Sequence, residues 1–271
     1  MNPFAQLLAT PRPLVMGILN VTPDSFSDGG RFRDPAAALD HARAMVAEGA
    51  DILDIGGEST RPYGGAAPVS AEEEWARIGN LLTPLVALGT PVSVDTMKAA
   101  VAKRALARGV AIVNDVWGLQ HDADMAKVVA DHDCGLVAMH NRERADAADI
   151  MADIESFFRR TLDIAARAGI ARERIVLDPG IGFGKTQAQS IAVLGQLERL
   201  RSFGLPLLIG ASRKRFIASV SPSEPQERIG GSIAAALIAA KAGARIVRVH
   251  DVAATVQALR VAQAIEASGE R

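Results

Sequence analysis

The chain is short of cysteine, of aromatic residues, of net charge and of long apolar runs, and each shortage excludes something. Cys134 is the only cysteine in 271 residues, so an intrachain disulfide and a four-thiolate metal site are both ruled out. Its neighbours Gly135, Leu136 and Val137 are apolar, which reads as a buried, unreactive thiol. Aromatic residues make up 4% of the chain, and Trp75, Trp117 and Tyr63 are too scattered to form a stacking platform for nucleic-acid bases. A formal net charge of -1 supplies no basic field for nucleic acid or an acidic membrane surface, and neither is expected as a partner. No apolar run reaches the ~18 residues of a membrane span. The segment MNPFAQLLATPRP lacks the charged start and apolar core of a signal peptide, so a soluble, cytoplasmic location is expected. His41, His121 and His132 fall in or beside helical patterns and no HxxxH cluster occurs. Any metal would then be Mg²⁺, held by few protein groups and by a substrate phosphate.

Apolar residues are plentiful, at 49%, and they come in short runs. Val15–Leu19, Ile52–Ile55, Val92–Val94, Ala111–Val113, Leu136–Met139, Ile175–Leu177, Leu207–Ile209 and Ile246–Val249 read as eight strands. They are rich in Ile, Val and Leu without alternation, as expected where both faces of a sheet are covered. The segments between them carry helix punctuation. Asp34-Pro35 and the pair Ser70/Glu73 mark helix starts. Gly49, Gly109, Gly169, Gly204 and Gly243 each close a helical pattern shortly before a strand. Eight strands alternating with helices predict an α/β fold, a (β/α)8 TIM barrel in a single domain. Residues 14–266 form the barrel, and residues 1–13 are an extension capping its bottom. A doubly wound open sheet is the alternative, but it needs fewer strands or a second domain, and no linker is visible.

In a (β/α)8 barrel the site forms at the carboxyl ends of the strands. Each apolar run here ends in polar groups: Asn20; Asp54 and the stretch Gly56 to Pro62; Asp95; Asn114 and Asp115; His140; Asp178; Ser212, Arg213 and Lys214; Arg248, His250 and Asp251. Any one of these could be a helix cap or turn residue, but together they point to an occupied barrel mouth. Asp95, Asn114 and Asp178 suit a flat heterocycle with adjacent donors and acceptors. Arg61, Lys214, Arg248 and His250, with Asn20, suit a phosphate. The loop that follows Asn20, from Val21 through Phe26 and Asp28 to the glycine pair 29–30, is long and polar and reads as a lid. The run DPGIGFGKT at 178–186 fits neither the P-loop nor the dinucleotide pattern, since Pro179 and Lys185 stand where glycine is needed. Its glycines instead let a loop approach a flat ligand, with Phe183 as an apolar cover.

Taken in order, GILNVTPDSFSDGG at 17–30, DIGGESTRPYGGA at 54–66, SVDT at 93–96, NDV at 114–116, DPGIGFGKT at 178–186, GASRKRFI at 210–217 and RVHDV at 248–252 resemble the dihydropteroate synthase family over nearly the whole chain. The resemblance implies a TIM barrel, a homodimer and a Mg²⁺-dependent transferase. Such an enzyme joins (7,8-dihydropterin-6-yl)methyl diphosphate to 4-aminobenzoate in folate biosynthesis, and sulfonamides target it. It implies that Asp95, Asn114, Asp178 and Lys214 bind the pterin and that Asn20 meets Mg²⁺. It further implies that Arg61, Arg248 and His250 hold the diphosphate and that Thr60, Pro62, Phe183, Ser212 and Lys214 border the aminobenzoate. Phe26 and Asp28 would belong to the lid. Lys214, Arg61, Arg248 and His250 would form the catalytic set. One departure stands out: after Met139-His140 the run NRERADAAD replaces the family's GxPxTMQ-like run. A folate-binding methyltransferase domain would not need the cationic set. A non-catalytic paralogue would be expected to have lost Arg61, Lys214 or His250.

Overall fold

A computed structural model describes residues 3–21, 35–58 and 69–269. The chain begins with α1 (Pro3–Leu8) and then alternates: β1 (Leu14–Asn20), α2 (Pro35–Ala47), β2 (Ile52–Gly56), α3 (Ala71–Val86), β3 (Val92–Asp95), α4 (Ala99–Leu106), β4 (Ile112–Asp115) and α5 (Met125–Asp131). It continues through β5 (Gly135–Met139), α6 (Ile150–Ala168), β6 (Ile175–Asp178), α7 (Gln187–Leu194), β7 (Leu208–Ile209), α8 (Arg215–Val220), α9 (Ile229–Lys241), β8 (Ile246–Val249) and α10 (Val252–Gly269). All strand pairs are parallel, in the order β6-β5-β4-β3-β2-β1-β8-β7. An isolated bridge between Leu177 and Leu207 closes the ring. The fold is therefore the single-domain (β/α)8 barrel that the alternation of runs predicts.

Two differences from the expected boundaries matter. β7 is shorter than the apolar run, because Leu207 contributes only the closing bridge and Pro206 before it has no N–H to give the ladder. Most of the other strands extend past their apolar runs into Asn20, Gly56, Asp95, Asp115 and Asp178. Ladder hydrogen bonds involve only backbone, so side-chain polarity does not end a strand. The polar ends consequently sit on rigid ladder rather than on loop.

The helices start and stop as their sequences dictate. Ser70 Oγ accepts from the Glu73 N–H while the Glu73 carboxylate accepts from the Ser70 N–H, closing a capping box at α3. Gly49, Gly109, Gly169, Gly204 and Gly243 all have φ between 63° and 102°, the left-handed turn that a helix exit favours. Asp34, the predicted cap before Pro35, lies outside the described residues.

Side chains on a strand alternate between faces, and this sorts the core into two clusters. One lies inside the barrel: Leu14, Met16, Ile52, Ile112, Val137, Val176, Leu208 and Ile246, joined by Phe4 of α1. The larger one lies between strands and helices and includes Leu53, Val94, Val113, Leu136, Leu177, Val247 and Phe158. Cys134 is buried in it, and burial pushes its thiol up to about 11, in keeping with an inert role. No helix among the described residues is long and apolar enough to cross a membrane.

Candidate active site

Strand parity decides which polar ends form the site. Asp54, Asn114, Asp178 and Arg248 each stand two residues beyond an inner apolar residue, namely Ile52, Ile112, Val176 and Ile246. Asp95 shares their face and is in register with Asn114. Asp115, His140 and Asp251 have the opposite parity and serve the surrounding scaffold. Asp115 accepts from the N–H groups of Trp117 and Leu119, and Asp251 holds Arg213 through two contacts. The eight polar strand ends are therefore not one set, and a count of polar ends along the chain overstates the mouth.

Inside, the groups gather around Arg248. Its Nε donates to Asp54 Oδ2 at 2.6 Å and its Nη2 to Asp95 Oδ2 at 2.7 Å. Asn114 Nδ2 donates to the same Asp54 oxygen at 3.1 Å. Arg248, one of the cationic set predicted around a phosphate, is thus seated on two carboxylates of the barrel floor. Asp54, noted in sequence only as a strand end, turns out to be the group that seats both Arg248 and Asn114. Its position two residues after Ile52 was the available signal.

Three buried acceptors are left over. Among the described residues, Asp54 Oδ1, Asp95 Oδ1 and Asn114 Oδ1 have no hydrogen-bond partner, and neither has the single hydroxyl of Ser93, which is in register with Asp54. Buried polar atoms are normally paired, so a group of unpaired acceptors in one place calls for donors from outside the protein. The electrostatics agree. Burial pushes Asp95 up to about 7, with Arg248 pulling it down and Asp54 and Glu74 adding to the rise. Burial likewise raises Asp178 to about 6, opposed by its hydrogen bond from the Gly180 N–H and by Lys185, Lys214 and Arg248. Burial works against the charge on Arg248, but Asp54 and Asp95 outweigh it and its pKa is raised.

Around this floor the remaining predicted residues take separate places. Lys214 Nζ lies 4.0 Å from the centroid of the Phe183 ring, so these two are brought together. Ser212 and His250 are also brought together, with 3.0 Å between Ser212 Oγ and His250 Nδ1. Asn20 ends β1 and is half-buried at the rim. Arg61, Thr60, Pro62, Phe26 and Asp28 lie outside the described residues. Among the described residues no three His, Cys, Asp or Glu side chains come together as a metal cage. Sequence reasoning also passed over Lys185. This residue is buried against His140, and a lysine within an otherwise apolar and glycine-rich run was the visible sign.

The family model described as pterin binding enzyme matches residues 16–250. The dihydropteroate synthase of Bacillus subtilis is 48% identical over 242 residues, covering 89% of this chain and 84% of that protein. That of Escherichia coli is 41% identical over 274 residues, covering 97% and 96%. Among solved structures, Xanthomonas albilineans dihydropteroate synthase in complex with 7,8-dihydropteroate superposes with a TM-score of 0.85 at 41% identity, covering 95% of this chain and 94% of that one. The same enzyme with 4-aminobenzoic acid gives 0.89 at 46% identity, again covering 95% and 94%.

Proposed function

The chain belongs to the pterin binding enzyme family, and from that premise we propose that it works as a dihydropteroate synthase. It joins (7,8-dihydropterin-6-yl)methyl diphosphate to 4-aminobenzoate, giving 7,8-dihydropteroate and diphosphate. The observation that carries this reading is the set of unpaired buried acceptors Asp54 Oδ1, Asp95 Oδ1 and Asn114 Oδ1 at the barrel floor. A pterin edge brings adjacent N–H donors to such acceptors, and Asp178 adds a further carboxylate on the same face. A solved relative with 7,8-dihydropteroate and one with 4-aminobenzoic acid support the choice of substrates.

The chemistry asks little covalent work of the protein. Diphosphate leaves a methylene attached to an electron-rich ring, so a dissociative path is favoured and the aniline nitrogen attacks without a strong base. The protein then has to stabilise charge growing on the leaving group and keep water away. Arg248 and Arg61 supply positive charge on the diphosphate side, and His250, held by Ser212, adds a ring nitrogen there. Lys214 lies over Phe183 and near Asp95 and Asp178, which suits it to border both the pterin and the aminobenzoate. The motifs assign Thr60 and Pro62, with Ser212, to the aminobenzoate, and Phe26 and Asp28 to a lid; of these only Ser212 lies among the described residues. Mg²⁺ would be held by the Asn20 amide oxygen together with diphosphate oxygens and water, oxygen donors that suit a hard cation. When bound, it neutralises charge on the departing diphosphate.

A homodimer in the cytoplasm completes the reading. The exposed apolar residues Ile191, Val220, Ile229, Ile238, Val261 and Ile265 all lie on α7 to α10, helices of which α7 packs on α8 and α9, and α9 on α10, and exposed apolar surface on adjoining helices suits a protein interface. The test is diphosphate release by purified protein with Mg²⁺. Release is expected only when both substrates are present. Tight pterin binding without dihydropteroate formation would instead identify a non-catalytic pterin binder.

A further inference from the structure

The reaction as derived leaves one buried chain of polar groups unused. Lys185 is 2% exposed. Its Nζ donates to the Phe183 carbonyl at 3.0 Å and lies 2.8 Å from His140 Nδ1. His140 is fully buried, and its Nε2 lies 2.8 Å from Asp153 Oδ2 at the first turn of α6. A carboxylate only accepts, so the ring proton sits on Nε2 and Nδ1 receives the lysine N–H. Asp153 Oδ1 in turn pairs with Arg142 Nη1 at 2.6 Å. The chain thus runs from the barrel mouth outward to the divergent loop that follows β5.

Its inner end is interlocked with the pterin carboxylate. The His140 N–H donates to the Asp178 carbonyl at 2.8 Å, and the Asp178 carboxylate accepts from the Gly180 N–H at 2.7 Å. Gly180 has φ 66°, and a Cβ there would run into the His140 carbonyl, so β5 and the loop after β6 are locked together. Lys185 closes the same loop from its far end through the Phe183 carbonyl.

We propose that Lys185, seated through His140 on Asp153, is a positioning residue that fixes the aim and the charge of Asp178 toward the pterin ring and holds Phe183 against Lys214. This rests on the dihydropteroate synthase reading. Lys185 is faced by Asp178 from β6, His140 from the end of β5, Asp153 from α6, Arg142 from the β5 loop and Lys214 from the turn before α8. Asp178 is faced by Lys185, Lys214 and Arg248. Burial lowers Lys185 to about 7, against the pull of Asp178 and Asp153, so below that pH it carries a charge that favours the ionised form of Asp178. Burial and the neighbouring Lys185 lower His140 to about 3, which keeps the ring a neutral link.

The test is the pH dependence of pterin binding, followed by fluorescence between about pH 5 and pH 7.5. In the parent protein, affinity falls in two steps as the pH drops, with Asp95 taking up a proton near pH 7 and Asp178 near pH 6, and the lower step is the one that reports on Lys185. Lys185→Met moves the midpoint of that step upward by about one pH unit or more, because a cation close to a carboxylate is removed. Lys185→Arg restores it. Asp153→Asn, on the half-exposed outer end, moves it in the same direction by less, and it keeps the test decisive if Lys185→Met does not fold. A merely structural role would weaken binding equally at every pH, so unchanged midpoints in both variants would overturn the proposal. Absence of pterin binding by the parent protein itself would overturn the functional reading, and this proposal with it.

Discussion

Replacing Arg248 with Met tests the electrostatic reading of the barrel floor most directly. The side chain lies between Asp54 and Asp95, with contacts of 2.6 and 2.7 Å, and the two carboxylates are 0% and 10% exposed. Methionine keeps the length of the side chain and removes the charge. Two buried carboxylates then lose their cation, and breaking a buried pair in this way costs about 3–5 kcal/mol. Domains have roughly 5–15 kcal/mol in all, so the variant is expected to fold with a much reduced margin. The loss should depend on pH in a defined direction. Asp95 already sits at about 7 in the folded protein, above an unfolded value of about 3.9, so the folded state binds its proton more tightly and stability falls as pH rises through that window. Arg248 is the main group pulling Asp95 down, and without it the folded value climbs further. The penalty of the substitution must therefore grow with pH above about 7, by at most about 1.4 kcal/mol per pH unit for one proton. The pH-independent remainder is the lost contact with Asp54. Urea unfolding of parent and variant at about pH 6 and about pH 8.5 measures both parts. A loss below about 1 kcal/mol at the higher pH, or an equal loss at both, would refute the view that Arg248 is the counter-ion of a buried carboxylate pair.

Two further predictions follow from named positions. Gly180→Ala forces a left-handed residue and drives a Cβ into the His140 carbonyl, for about 3 kcal/mol or more of stability lost. Gly182→Ala, at φ 79° with only Lys214 Cδ nearby at 3.4 Å, costs about 1–2 kcal/mol, and equal losses on urea unfolding would contradict the interlock. Lys214→Ala removes the cation over Phe183 and should lower kcat/KM for both substrates by about 2 kcal/mol, roughly thirtyfold; kinetics unchanged for either substrate would take Lys214 out of that substrate's pocket.

Much of this architecture was legible along the chain. Apolar runs such as Ile175–Leu177 and Ile246–Val249 mark strands because covered parallel strands need apolar residues on both faces. Glycines such as Gly169 mark helix exits because the backbone there turns left-handed. Asp95, Asn114 and Asp178 were identifiable as candidate ligand groups because polar residues at the carboxyl ends of strands lie at the mouth of this fold, although which of them face inward depends on strand parity. What the runs did not disclose was that parity. Without the inner layer of Met16, Ile52, Ile112 and Ile246 as a reference, Asp115, His140 and Asp251 look the same as Asp54, Asn114 and Arg248. The lid residues and Arg61, Thr60 and Pro62 lie outside the described residues, so their place rests on the motif alone.

Residue types and their order determined the barrel, the family and the kinds of group at its mouth, since these depend on local backbone preference, apolar patterning and motif. Tertiary structure alone decided who pairs with whom. Arg248 meets Asp54 and Asp95 across 194 and 153 positions of chain, and Lys185 meets His140 across 45. Contacts at such separations depend on how strands are brought around the ring and on which face each side chain takes, and neither is a local property of the sequence.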